Sequence, residues 1–160
     1  MAVDMFLKID GIDGESMSHK HKGEIELLSF SWGLSQTISQ TGGGGGAGKV
    51  NVSDLSFVKL MDTASPQLME KCCQGQHISD ATLTISSRER PVEYLKIKLQ
   101  DILVSSYQTG GANNGGVLPM DSVSLNFANV DITASDRFGK VSQVSCNFVK
   151  LGDTIGHHHD

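Results

Sequence analysis

Long apolar runs, proline and cysteine are all scarce in this chain of 160 residues. No run approaches the roughly 20 apolar residues that span a bilayer, and Asp4 interrupts an alternating N-terminus that is unlike a signal peptide. Charged residues make up 19% of the chain, and the formal charge is −5. This acidic balance predicts no basic face for nucleic acid, and membrane insertion is not expected. Any export is expected to use a route without a signal peptide.

The cysteines, three in number, do not fit a disulfide framework. Cys72 and Cys73 are adjacent and would point about 100° apart on a helix. We therefore interpret all three as reduced thiols of a protein made in the cytoplasm.

Glycine is abundant, with 18 residues, and it separates short segments in which apolar and polar residues alternate. Both features are typical of a turn-rich β protein. The length fits a single domain over residues 1–160, and the tail 152–160 is expected to be disordered.

Alternating residues predict strands along most of the chain. The predicted strands span 3–9, 25–38, 49–61, 81–87, 92–106, 123–133 and 138–151, and Phe6 is an exception to the parity of the first. A loop is predicted over residues 108–119. In four of these strands the apolar parity slips by one residue, near positions 27–28, 52–55, 99–102 and 127–130. Because bulges add curvature, the repeated slips predict a compact, bulged antiparallel β-barrel.

One short helix is predicted over about residues 65–75. Ser65 is the expected N-cap, Pro66 the first helical position and Gly75 the stop signal. A buried stripe that could plug one end of the barrel would consist of Leu68, Met69, Cys72 and Cys73.

A glycine run from Gly43 to Lys49, GGGGAGK, satisfies the first part of a phosphate-binding loop. Such a loop needs Ser or Thr after the lysine and a helix N-terminus that faces the phosphates. Here Val50 follows the lysine, and the chain is predicted to continue as a strand. We interpret the run as a loop that lies against a neighbouring subunit, and we predict no nucleotide and no other cofactor.

Patterns for a catalytic or metal site are weak. His19 and His21 lie in a lysine-containing loop with no acidic or thiol ligand set, whereas a structural zinc site needs four ligands. All six histidines, including the trio 157–159, are interpreted as solvated surface. Because no Gly-x-Ser-x-Gly elbow and no cysteine with identifiable histidine and acid partners occurs, we predict a protein that is not an enzyme.

Several long strings of the sequence together resemble one family. They are MAVDMFLKIDGIDGES, SFSWGLSQ, GGGGGAGKVNVSDLSF, VEYLKIKLQDILVSS and VSLNFANV, in conserved order from Met1 to about Val130. This combination resembles the Hcp family, the hemolysin-coregulated inner-tube proteins of type VI secretion systems.

The resemblance implies a β-barrel with one helix, six copies of which close into a ring. Rings would stack into a hollow tube that carries a VgrG-like spike and is expelled by a contractile sheath. Small effector proteins would travel in the lumen, protected before export. The protein would then leave the bacterial cytoplasm for the medium or a target cell.

The resemblance also suggests two candidate surfaces. Phe30 and Trp32 are expected to face the core, so that Ser29, Ser31 and Gly33 point away, toward cargo in the lumen or toward plain solvent. The candidate ring-stacking residues are Gly42, Gly43, Gly44, Gly45, Gly46, Gly48 and Lys49. Two alternatives are a phage-type tail-tube protein of the same architecture and a nucleotide-dependent enzyme that uses the glycine run.

Overall fold

A computed structural model describes residues 2–38, 47–113 and 115–148. This part of the chain is mainly β with one helix, which confirms the predicted fold class. The strands are β1 (Val3–Ile9), β2 (Ile25–Glu26), β3 (Ser29–Ser31), β4 (Leu34–Ile38), β5 (Ala47–Val52), β6 (Leu55–Leu60), β7 (Ile78–Ser87), β8 (Glu93–Gly110), β9 (Met120–Ser135) and β10 (Val141–Asn147), and the helix is α1 (Ser65–Gln74).

The main sheet closes on itself. Its strands pair in the order β2-β1-β7-β8-β9-β6-β3, and every neighbouring pair is antiparallel. The two ends of this order belong to one segment, 25–31, in which the backbone N–H of Leu27 donates to Met5 of β1 and that of Leu28 donates to Val58 of β6. Segment 25–31 therefore seals the barrel, and it changes partner where the parity slip near Leu27 was predicted.

The barrel interior holds the apolar side chains that alternate along each strand. Leu7 of β1 lies opposite Leu83 of β7, which lies opposite Ile97 of β8. All three are at most 3% exposed. Burying one such side chain contributes about 1.5–3 kcal/mol, so these rows are the main source of stability.

Two predicted parity slips lie directly opposite each other. Leu99 pairs with Val130, and Ile102 pairs with Phe127, with all four side chains buried. Asp101, between the two pairs, adopts a left-handed φ of 58°. Because each strand contains one extra residue, the slips cancel and the pairing register is kept. The register itself shifts farther along, between residues 104 and 106.

Loop 11–24 covers part of the outer wall of the barrel and explains the odd parity of Phe6. The Phe6 side chain points outward but is only 3% exposed, because the His21 ring stacks on it at 4.4 Å between centroids. The Glu24 carboxylate contacts the edge of the His21 ring, with 3.0 Å between Glu24 Oε1 and His21 Nδ1. The prediction that every histidine is solvated is therefore wrong for His21, which is 8% exposed.

Strands β4 and β5 form a separate two-stranded arm. The predictions of single strands over 25–38 and 49–61 are therefore wrong, since each is divided between the barrel and the arm. Leu34 and Ile38, which continue the apolar parity of β3, are 49% and 64% exposed. They leave the barrel at Gly33, whose backbone exchanges hydrogen bonds with Ser53 at the other base of the arm.

Helix α1 ends as predicted, at Gly75 with a left-handed φ of 63°. Its N-cap is Ala64 rather than Ser65, because the Ser65 hydroxyl is engaged in the buried cluster described below. The predicted buried stripe is wrong: Leu68 is fully buried, whereas Cys72 is half-buried and Met69 and Cys73 are exposed. Within the described residues, no helix is long and apolar enough to cross a membrane.

A buried polar cluster ties the start of α1 to strands β6 and β9. Lys59 and Asp121 are both fully buried, with 3.0 Å between Nζ and Oδ2. Lys59 also donates to Asp62 at 2.6 Å and to Ser65 at 2.8 Å. Burial tends to raise the pKa of Asp121, but hydrogen bonds from Ser65 and Lys59 and the Lys59 charge outweigh burial and lower it. Burial, as the main cause, raises the pKa of Tyr107 beside this cluster.

Candidate functional site

A row of serine side chains crosses the outer wall of the barrel over four adjacent strands. Ser31 of β3 pairs with Ser56 of β6, Ser56 with Ser124 of β9, and Ser124 with Ser106 of β8. We call these four residues the serine row. The next row along the same strands is built from Phe30, Phe57, Val123 and Tyr107, which pack into or against the core. Because side chains alternate between faces, the serine row lies on the solvent side of the wall.

Hydrogen bonds knit this surface together. The register shift near residue 105 lets two consecutive serines reach the same partner: Ser105 and Ser106 lie 2.7 Å and 2.6 Å from the Ser124 hydroxyl. Ser105 also donates to Asp54 at 2.6 Å, and Asn126 donates to the other Asp54 oxygen at 3.0 Å. The result is a flat wall of small hydroxyl groups with one carboxylate at its margin. Such a surface offers hydrogen bonds without bulk or strong charge.

The three residues predicted to face a lumen occupy two different places. Ser31 belongs to the serine row, and Ser29 is exposed in the next outward-facing row, opposite Val58 of β6 and, one strand further, Ser122 of β9. Gly33 instead lies at the base of the arm, bonded to Ser53. Phe30 and Trp32 pack against the core, as predicted.

Sequence reasoning missed Ser56, Ser106 and Ser124. Ser56 and Ser124 alternate with apolar neighbours, as in Ser122-Val123-Ser124-Leu125. That alternation was a usable signal for an outward serine face on those two strands. The pairing that joins the strands into one surface required the structure.

The candidate stacking residues lie mostly outside the described part of the chain, as Gly42 to Gly46 do. Gly48 and Lys49 lie within β5, so the predicted loop is wrong at Gly48, whereas Lys49 lies in a strand, in agreement with the strand predicted from residue 49. A side chain at Gly48 would collide with the backbone carbonyl of Thr37 in β4, so close pairing of the arm requires glycine there. The strand predicted after Lys49 is confirmed, and no helix N-terminus follows that lysine.

Two features of the described residues invite contact with another chain. The arm exposes Leu34 and Ile38, and its strands pair only with each other. Strand β10 pairs with β9 along one edge and with no other described strand, and it exposes Val141 and Val144. Unpaired edges and exposed apolar side chains are typical of surfaces that associate.

A metal site requires several histidine, cysteine or acidic side chains in one place. No group of three or more histidine, cysteine, aspartate or glutamate side chains in the described ranges is arranged to hold a metal ion. His21 does have acidic neighbours, contrary to the prediction, because Glu93 arrives from β8 with 3.6 Å between Oε2 and His21 Nε2.

Comparisons with known proteins agree with this geometry. The family model described as "Type VI secretion system effector, Hcp" matches residues 6–133. Among curated proteins, the chain is similar to Protein hcp1 of Pseudomonas aeruginosa, with 51% identity over 135 residues that cover 82% of this chain and 83% of that protein.

Solved structures extend the similarity to the fold. The Hcp1 structure from Salmonella typhimurium has a TM-score of 0.82 and 38% identity, over 94% of this chain and 98% of that one. A type VI secretion system effector from Yersinia pestis has a TM-score of 0.73 and 30% identity, over 90% of this chain and 99% of that one.

Proposed function

This chain belongs to the Hcp family of type VI secretion system proteins, and from that premise we propose that it is a structural tube subunit. Six copies close into a ring, rings stack into the expelled tube, and effector proteins travel in the lumen. The subunit acts by assembly and carriage and has no catalytic role.

The observation that carries this proposal is the arm. Leu34 and Ile38 are apolar and exposed, and the arm's two strands pair with nothing else among the described residues. An isolated two-stranded hairpin is marginally stable in water, so this arm gains stability if it packs on a neighbour. A head-to-tail contact that closes by rotation gives a ring, and one repeated along the axis gives a tube.

The glycine run that leads into β5 is proposed to contribute to contacts between stacked rings. Glycine permits close backbone approach, but ordering each residue on a neighbour costs about 1–2 kcal/mol. The contacts made by the arm would have to offset that cost.

Substitution in the arm tests the assembly. We expect Leu34→Ser with Ile38→Ser to change the free energy of unfolding of the unassembled subunit by no more than about 0.5 kcal/mol, because both side chains are about half exposed or more. Native mass measurement and negative-stain images should give hexameric rings and tubes for the parent protein and mostly smaller species for the variant. Met17→Ser, at a side chain that is 82% exposed in loop 11–24, is the matched control. A monomeric parent at all concentrations, or a variant that forms tubes as the parent does, would contradict the proposal.

The serine row is proposed to line the lumen with Ser29 as the cargo-facing surface. Small hydroxyl groups suit a wall that must hold different effectors and release them, because no deep pocket or strong charge selects one of them. Partners at the ends and outside of the tube are proposed to be a VgrG-like spike and the contractile sheath. The protein would leave the bacterial cytoplasm with the tube and without a signal peptide.

The carrier role has its own test. Ser56→Gln with Ser124→Gln should reduce the small secreted proteins that co-purify with rings, because the longer side chains disrupt the flat wall. Ser142→Gln, at an exposed position of β10, is the control and should leave the yield unchanged. Rings that form normally but carry the same cargo with both wall substitutions would refute the lumen assignment and leave the tube role standing.

A further inference from the structure

The part of the outer wall formed by β1, β7 and β8 carries three lysine side chains in two outward-facing rows. One pairing row is Lys8, Thr82 and Lys98, and the adjacent row is Phe6, Thr84 and Lys96. Both rows lie on the face opposite the core residues Leu7, Leu83 and Ile97. The net charge of −5 does not report such a local arrangement of lysines.

Two clefts open on this wall, one on each side of loop 11–24. The larger, of 340 Å³, lies between the loop and the strands and is lined by Lys8, Lys20, Lys96, Thr82 and Thr84. The smaller, of 240 Å³, is lined by Lys20, Arg88 and Arg90 beside several serines. Lys20, His21 and Glu93 line both clefts.

The charges in these clefts are unbalanced. Five basic residues line them against three carboxylates, those of Asp4, Glu24 and Glu93. The carboxylates are already engaged, with Arg88 held by Asp4 at 2.8 Å and Lys96 by Glu93 at 3.3 Å. Lys8, Lys20 and Arg90 form no ion pair within the described residues, so three cations face the clefts without a counter-charge.

His21, which lines both clefts, has carboxylates beside both of its ring nitrogens. His21 is 8% exposed, and its Nε2 has no hydrogen-bond partner among the described residues. The nearest carboxylate oxygen, on Glu93, is 3.6 Å away, too far for a hydrogen bond. His21 is therefore held between Glu24 and Glu93 where the two clefts meet.

We propose that these paired clefts bind an acidic protein segment, with a carboxylate side chain in each cleft on either side of His21. Lys8 and Lys20 bind the carboxylate in the larger cleft, and Arg90 binds the one in the smaller cleft. Charge-assisted hydrogen bonds of this kind fix position as well as adding affinity. The binding surface is separate from the serine row and does not depend on ring formation.

The chemistry favours a peptide over a nucleic acid. Asp4, Glu24 and Glu93 lie among the cations and would repel a continuous row of phosphates. Two discrete clefts bordered by hydroxyl groups fit carboxylates that are spaced along a flexible chain.

The test is a titration of the full-length protein with a fluorescein-labelled decapeptide of alternating glutamate and alanine, followed by anisotropy at low salt. We expect saturable binding, and no binding of the same peptide with glutamine in place of glutamate. Lys8→Gln or Lys20→Gln should weaken binding about fivefold each and about 20-fold together. Lys140→Gln, the same charge change on the β9–β10 turn, should alter it by less than twofold.

Three results would overturn the proposal: no binding of the glutamate peptide, equal weakening by Lys140→Gln, or an oligothymidine of equal charge that binds as tightly and loses affinity in the same variants. The last would identify a general polyanion surface. Native mass measurement of every variant runs alongside. A loss of peptide binding with rings intact therefore concerns the clefts, and a loss of rings with peptide binding intact concerns the tube role.

Discussion

Replacing Lys59 with methionine removes an ammonium group that is fully buried between β6, β9 and α1. Its Nζ lies 3.0 Å from Asp121 and 2.6 Å from Asp62. Methionine keeps most of the apolar stem, so the main change is that Asp121 stays buried without its cation. Breaking a buried ion pair by removing one partner costs about 3–5 kcal/mol. Because whole domains are stable by only about 5–15 kcal/mol, Lys59→Met should lose a large share of the total.

The loss should depend on pH in a direction that Asp121 determines. In the parent protein the pKa of Asp121 is lowered from its ordinary 3.8, so its contribution to stability is present above that value and disappears as the pH falls through the folded pKa. In Lys59→Met, burial acts on Asp121 without the lysine charge, which raises that pKa relative to the parent. Protonation of Asp121 in the variant removes the cost of burying an unpaired carboxylate. The difference in unfolding free energy between parent and variant should therefore narrow from about pH 7 to about pH 4.

Urea unfolding followed by circular dichroism at one fixed protein concentration measures this gap. The double variant Lys59→Met with Asp121→Leu should recover most of the loss, because it replaces both charges with apolar groups. Lys140→Met, at an exposed position, should change the free energy of unfolding by less than about 0.5 kcal/mol. A Lys59→Met loss below about 1 kcal/mol, or a loss that is the same at both pH values, would refute the reasoning.

Three further outcomes are expected. Cys73 is exposed and Cys72 half-buried, so a thiol-reactive dye should label Cys73 rapidly in the native protein and Cys72 more slowly; equal protection of both would contradict this. Phe6→Ala should lower the free energy of unfolding by about 3 kcal/mol and loosen loop 11–24, measured by urea unfolding and hydrogen exchange, because it removes the ring beneath His21. Deleting Gly43–Gly46 should leave the melting temperature unchanged but reduce tube formation and secretion. Unchanged tube formation and secretion would contradict a role for the glycine run in contacts between rings.

Strand positions could be predicted because burial on one face leaves a period of two in the sequence. The slips near Leu27, Leu99 and Phe127 were detectable for the same reason, since a bulge or kink changes which parity is buried. Leu34 and Ile38 show the limit of this signal. The same apolar spacing occurs in a strand that faces the core and in a strand that exposes its apolar side chains. The spacing therefore could not show where the barrel ends and the arm begins.

Contacts between distant segments account for the other misses. Serine is a typical N-cap residue, yet the Ser65 hydroxyl accepts a hydrogen bond from Lys59 and donates one to Asp121. Asp121 is 56 residues away along the chain. His21 has the local sequence of a solvated loop, but Phe6 and Glu93 bury it. For the candidate site, Ser29 and Ser31 were predictable from the parity of one strand, whereas the continuation into Ser124 depends on pairing that no local pattern encodes.

The seam at segment 25–31 has a mechanical consequence. The arm joins the barrel through β3 and through β6, and β3 has only three residues paired with β6. Tension applied to the arm by a gripping neighbour would therefore load the hydrogen bonds of Phe30 and its two flanking serines before it reached the long β8–β9 ladder. A barrel pulled in this way should open along the seam, and the weakest line of the subunit would lie beside the row of hydroxyl groups proposed to face the cargo.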